Sequence, residues 1–140
     1  MVASPVFSRY GYTNRYLGSR LVLPGTLRAL SLLLEEAFPY HRNWKQSETH
    51  PAFWELHPTI DHVVPLARKG ADDASNIVTT SMLRNGAKPN WLPEELGWST
   101  QLAPVVPGWD GLVSWFLEAS RSREVLRTDK AIKFWRSALR

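Results

Sequence analysis

The chain has 140 residues, 44% apolar and 21% charged, the balance of a globular protein rather than a disordered one. That length suits one domain with a real core and is too short for two independent ones. The formal net charge is +4, and the absence of cysteine excludes disulfides and a thiolate zinc site.

The first twenty residues carry Arg9, Arg15 and Arg20 with no continuous apolar stretch, which argues against a secretory signal. Residues 1–25 mix Phe7, Tyr10, Tyr12 and Tyr16 with three glycines and show no period, so they read as irregular with at most one short strand. Thr26 reads as the cap of a helix carrying Leu27, Leu30, Leu34 and Phe38 at helical spacing, ended by Pro39. Arg28, Glu35 and Glu36 interrupt that run, which cannot span a bilayer; a cytoplasmic protein with no membrane partner is expected. Pro51 opens a short helical turn.

Residues 58–64 read as a strand on Thr59, Ile60, Val63 and Val64, residues 66–75 as a loop around Gly70, and residues 76–80 as a second strand. Residues 81–88 form a short helix stopped by Pro89, and Pro93 starts another closed by Gly97. After a Pro/Gly-rich connector, residues 110–119 and 129–139 are predicted helices. The last places Ile132, Phe134, Trp135 and Leu139 on one arc, with Lys133, Arg136 and Arg140 opposite.

Charge is uneven along the chain. Residues 1–120 hold ten Lys/Arg against eleven Asp/Glu, whereas residues 121–140 hold seven against two. A polyanion partner and a plain solvated face both account for that tail. Of the seven tryptophans, Trp54, Trp91, Trp98, Trp109, Trp115 and Trp135 are expected to fill the core rather than stack on bases; Trp44 is the least patterned.

Chemistry concentrates in residues 61–88, DHVVPLARKGADDASNIVTTSMLRNGAK. Asp61 and His62 are adjacent, and Asn76, Asn85 and Lys88 follow fourteen, twenty-three and twenty-six residues after His62. Hydrolysis of a phosphodiester needs an activated water, relief of phosphate charge and a stabilised leaving oxygen. A neutral imidazole, with an unperturbed pKa near ~6.5, takes the proton of that water, which makes His62 the candidate base. Ser81, Arg84, Asn85 and Lys88 fall on one face of the short helix. Successive strand residues point to opposite faces, so the chain is expected to leave strand geometry at residues 61–62 if both side chains serve one site.

This spacing resembles the HNH nuclease motif of the His-Me finger (ββα-metal) family, whose pattern runs Asp-His-x-x-Pro, a Gly-containing loop, Asn-(Leu/Ile), His or Asn, then Lys. The resemblance covers residues 61–88, extended to the region of Trp91. It implies an α+β fold: a ββα-metal core of a two-stranded antiparallel hairpin plus helix, embedded in additional helices. A single nuclease domain over residues 1–140 follows, with the core at about 57–92, a helical and irregular segment before it, and C-terminal helices over 109–140.

The implied activity is metal-dependent endonucleolytic hydrolysis of DNA, with RNA an open alternative. His62 is the general base, and one divalent ion, Mg²⁺ foremost and Mn²⁺ or another divalent as alternatives, is held by Asp61 and Asn85. On the same resemblance Asn76 orients the hairpin by bonding across the loop, while Lys88 and Arg84 point at the phosphate. Lys133, Arg136 and Arg140 lie outside it and are nucleic-acid candidates on charge alone.

Two departures stand out. The paired Cys-x-x-Cys elements that hold a structural zinc in many members are missing, with Ser81 and Arg84 where the second pair would be, and Lys69-Gly70 replaces a common Gly-Gly. Among weaker residues, His57 either lines the cleft or caps a turn, His41 and His50 read as surface, and Asp72 and Asp73 as turn formers. Two rival readings are a non-catalytic nucleic-acid-binding module with the same fold, and a zinc protein using His41, His50, His57 and His62, which lacks any tight ligand pair.

Overall fold

Pro24, not Thr26, opens the first long helix. In the computed structural model, which describes residues 7–139, α1 (Pro24–Leu33) starts on a proline whose missing N–H would have had no helical partner anyway. The Thr26 hydroxyl donates instead to the Leu112 carbonyl at 3.2 Å, far along the chain. The predicted extension to Phe38 is also corrected. Ala37 N–H and Phe38 N–H both turn back onto the Leu34 carbonyl, and Leu34 is left 50% exposed. Helical spacing alone overstated the length, because Phe38 packs in a second cluster around Phe53 and Leu34 is left outside the core.

After α2 (Ala52–Leu56), β1 (Pro58–His62) pairs antiparallel with β2 (Ile77–Ser81). The register sets Thr59 opposite Thr80, Asp61 opposite Val78 and His62 opposite Ile77. The chain is thus α+β, with a two-stranded antiparallel sheet and several helices. β1 ends two residues earlier than the β-branched run predicts, because Val63 and Val64 turn toward Asn76. Asn76 is correspondingly lost from β2, which runs on to Ser81. That serine then caps α3 (Met82–Ala87) by accepting the Arg84 N–H at 3.0 Å.

A two-stranded hairpin is marginal by itself, and here the N-terminal segment supports it. Arg15 N–H donates to Thr79 O at 3.0 Å and Tyr10 Oη–H to Ile77 O at 3.0 Å. The hydroxyls of Thr79 and Thr80 reach back to Thr13 O at 2.6 Å and Asn14 Oδ1 at 3.0 Å. Residues 10–23 are therefore interior structure, although they show no regular period: Tyr12, Thr13, Asn14, Leu21 and Leu23 are all buried.

The C-terminal third adds α4 (Val113–Ser122), α5 (Glu124–Arg127) and α6 (Lys130–Ala138). α4 starts later than predicted because Asp110 stays outside and accepts from the Leu112 and Ser114 amides; α5 is not anticipated by any pattern. Phe116, Leu126 and Ile132 join Leu21, Leu23 and Ala29 in the main core. Gly25 lets α1 approach α4 and α6: a Cβ there would lie 2.8 Å from Trp135 Cβ and 2.9 Å from Phe116 Cε1. Asp129 caps α6 through the Ala131 and Ile132 amides and pairs with Arg28 of α1 at 2.9 Å.

Two expectations for the aromatic residues are corrected. Phe134 leaves the apolar arc and is 48% exposed, since helical geometry sets it on the side of α6 away from the buried Ile132. Trp91 and Trp115 are exposed rather than core, while Trp44 lies edge-on to Phe53 and Trp54 in the second cluster. No helix among the described residues is long and apolar enough to cross a membrane.

Candidate active site

The loop between the strands is held by one amide side chain. Asn76 Oδ1 accepts the Val64 N–H at 2.8 Å, and its Nδ2 donates to the carbonyls of Val64 and Ala71, both at 2.8 Å. Gly70 packs so closely that a Cβ would run into the Val64 carbonyl. The left-handed position belongs to its neighbour Lys69 (φ 67°), which closes the 3₁₀ turn Leu66–Arg68. In the Lys69-Gly70 pair, the glycine answers to sterics and the lysine to backbone conformation. Arg68 in turn pairs with Glu95 of the turn Pro93–Leu96, fastening the loop to the chain beyond α3.

That brace presents the end of β1. Asp61 is 8% exposed, and its Oδ2 accepts from Tyr16 Oη–H at 2.5 Å and from the Lys88 ammonium at 3.2 Å. Lys88 also donates to the His62 carbonyl at 2.8 Å and is 0% exposed. Burying an ammonium carries a large desolvation penalty, met here by one carboxylate and one carbonyl. Phosphate contact by Lys88 is therefore corrected: its charge is spent inside, on Asp61. Burial, then the hydrogen bond and charge of Asp61, push the Tyr16 pKa far above its ordinary value, so the hydroxyl stays a donor.

Asn85 approaches the same face of β1. Its Nδ2 lies 3.5 Å from Thr59 Oγ1, two residues before Asp61 and on the same side of the pleat. Both contacts on Asp61 fall on Oδ2, and the Asn85 contact uses only its nitrogen. The remaining carboxylate and amide oxygens are hard donors of the kind a divalent cation prefers. No group of three His, Cys, Asp or Glu able to hold a metal occurs among the described residues. An ion on Asp61 and Asn85 would need water and phosphate oxygens for the rest of its shell, which is how Mg²⁺ commonly binds.

His62 lies within the ladder, opposite Ile77, so the expected departure from strand geometry comes one residue later, at Val63. Its imidazole consequently points away from the Asp61 side chain. Nε2 sits 2.8 Å from Asp72 Oδ1. A carboxylate only accepts, so the neutral ring carries its proton on Nε2 and keeps its lone pair on Nδ1. Asp72 is therefore a partner of His62 and not a turn former. Asp73 does form the turn, accepting from Ser75 N–H at 2.9 Å.

Arg84 stacks its guanidinium 4.3 Å from the centroid of Trp98, which in turn lies 5.3 Å from the Tyr16 ring. It has no carboxylate partner among the described residues, so its donors remain usable by a phosphate. His57 packs edge-on against Trp44 with Nδ1 3.0 Å from Pro58 O. Burial lowers its pKa while that hydrogen bond acts the other way, so it is held neutral. His41 and His50 each accept a backbone N–H two residues on, from Asn43 and Ala52 at 3.1 Å.

Tyr16, Thr59, Asp72 and Trp98 are the site neighbours that sequence reasoning misses. Their partners lie up to 82 residues away, and none carries a local signal. Lys133 and Arg136 lie on α6, apart from this cluster; Arg136 is half-buried against α4, and Arg140 falls outside the described residues. No protein-family model, no curated protein and no solved structure matches the chain.

Proposed function

We propose that the chain is an HNH-type endonuclease, with β1, β2 and α3 as its ββα-metal core, hydrolysing phosphodiester bonds in DNA with a divalent ion. The observation that carries this reading is the end of β1. There Asp61 lies on one side of the strand, with Asn85 of α3 beside its same-side neighbour Thr59, and the adjacent His62 is held by Asp72 on the other. In-line displacement asks for the proton acceptor and the stabiliser of the leaving oxygen on opposite sides of phosphorus. Asp61 and His62 diverge within the ladder, so a phosphate reached by both has to sit past the end of β1, where the chain leaves the strand at Val63.

His62 Nδ1 takes the proton of the attacking water, and Asp72 stabilises the imidazolium that results. Arg84 neutralises phosphate charge from its seat on Trp98. Asp61 and Asn85 are the residues that would hold Mg²⁺, which supplies Lewis-acid stabilisation of the departing oxygen when bound. Lys88 already neutralises part of the Asp61 charge, so substrate phosphate is needed to complete the ion's attraction. Tyr16 and Lys88 fix the rotamer of Asp61.

That same pairing favours a second reading, a nucleic-acid-binding module in which Asp61 serves only as the buried counterion of Lys88. A plasmid assay separates the two. With Mg²⁺, the full chain is expected to nick supercoiled DNA, and EDTA to stop it. His62→Ala should slow nicking by at least about a hundredfold with DNA affinity and melting temperature retained. Equal nicking by His62→Ala overturns the base assignment. DNA binding without nicking, in Mg²⁺ and in Mn²⁺, leaves the binding module.

A further inference from the structure

A groove of about 570 Å³ opens where α4, α5 and α6 meet, lined by Arg121, Arg127, Lys133, Arg136, Ser120 and Ser137. No carboxylate among the described residues lines it. Of the acidic side chains nearby in sequence, Glu118 pairs with the lining Arg121, Asp129 is taken by Arg28 and the first turn of α6, and Glu124 opens α5 outside the lining. Arg127, Lys133 and Arg136 have no ion-pair partner among the described residues. Like charges gathered from three helices repel one another, and an anion in the groove relieves that repulsion.

Arg136 is a fixed element of the groove. Its Nη1 donates to Leu117 O at 3.1 Å and to Ser120 Oγ at 2.7 Å, while Ser120 itself is buried and donates to Phe116 O. Both bonds use one nitrogen, so the remaining donors of the fork stay usable by a ligand. Arg121 and Arg127 come from elements other than α6, so this cluster is a product of the fold and not of one helical face.

We propose that this groove takes the phosphodiester backbone of the nucleic acid that the hairpin engages. It is a second contact surface, and the identity of the polymer rests on the nuclease reading. Guanidinium forks match phosphate oxygens, and an open trough several times the size of one phosphate suits a chain of them. α6 also borders the hairpin. Trp135 lines a separate depression of about 280 Å³ together with Thr59, Ile60 and Met82, so one helix faces both the groove and the neighbourhood of Asn85.

The test is fluorescence anisotropy of a labelled DNA duplex against salt, using the full chain with His62→Ala to prevent cutting. Arg127→Gln/Lys133→Gln in that background is compared with Arg42→Gln/Lys45→Gln, which removes equal charge elsewhere. The groove pair should reduce the slope of log Kd against log[salt] by about two units and weaken low-salt binding on the order of tenfold or more. The control pair should leave the slope near that of the parent. Equal shifts in both pairs overturn the groove. A parent that binds no DNA overturns the groove and the nuclease reading together. A wild type that binds without nicking overturns only the nuclease, and the slope still decides the groove. Retention of poly-glutamate by the groove with DNA ignored assigns it to an acidic protein and overturns the proposal.

Discussion

Two sets of cations in this molecule live under opposite conditions. Lys88 is wholly enclosed, with its ammonium shared between Asp61 and the His62 carbonyl. Arg127 and Lys133 stand exposed in the groove of α4–α6 with no carboxylate partner among the described residues. The contrast separates charge that is built into the interior from charge that stays open to solvent. A buried ion pair is rigid but brittle, because removing either member strands the other in a poor solvent. An exposed unpaired cation contributes little to the fold and keeps its full electrostatic reach.

The sharpest way to break the comparison is to remove one cation of each kind. Lys88→Met should cost about 3–5 kcal/mol of unfolding free energy in urea, since Asp61 is left buried without its counterion. Lys133→Met should stay within about 0.5 kcal/mol of wild type in the same titration. Similar small losses for both would mean that Lys88 is no more structural than the groove.

A smaller effect is expected at the brace that supports the site. Asn76→Ala abolishes three hydrogen bonds that hold residues 63–76, and should cost about 2–3 kcal/mol by the same measurement. Plasmid nicking should fall with it at temperatures where the variant is still folded. Unchanged nicking would detach the loop from the catalytic geometry.

The smallest expected effect sharpens the groove side, where one carboxylate does serve the fold. Burial pushes the Asp129 pKa up, but the Arg28 ion pair and the Ile132 and Ala131 amides outweigh it and hold the pKa below its ordinary 3.8. A depressed folded-state pKa contributes stability that is present above the unfolded value and lost as pH falls through the folded one. Asp129→Asn should therefore cost about 1 kcal/mol at neutral pH and give a flatter decline in melting temperature on acidification below pH ~4 than wild type shows. Parallel pH curves would remove Asp129 from the attachment of α6.

The hairpin and α3 are readable in the chain because their signals are local: β-branched runs, a glycine-containing loop, and a proline stop. The same locality explains the errors. Thr26 looks like a cap, yet its hydroxyl bonds to Leu112, 86 residues away. Leu34 continues a helical period that the backbone abandons. Trp91 and Trp115 carry core-like side chains that the fold leaves outside, where burial depends on which elements cover them. Within the candidate site, the adjacent Asp61 and His62 are plain from the sequence. The Tyr16 and Lys88 contacts on one and the Asp72 contact on the other arise only once distant segments meet.

The N-terminal segment along β2 has a consequence for how copies of this chain behave toward each other. The outer carbonyls of Ile77 and Thr79 are already claimed by Tyr10 and Arg15. A strand edge with unclaimed backbone groups is a template onto which another chain adds, beginning an aggregate. Residues 10–15 occupy that template from within the same molecule without being a strand of the sheet. Peeling them away would expose a sticky edge beside the candidate catalytic residues, so colloidal behaviour and the candidate site depend on the same few residues.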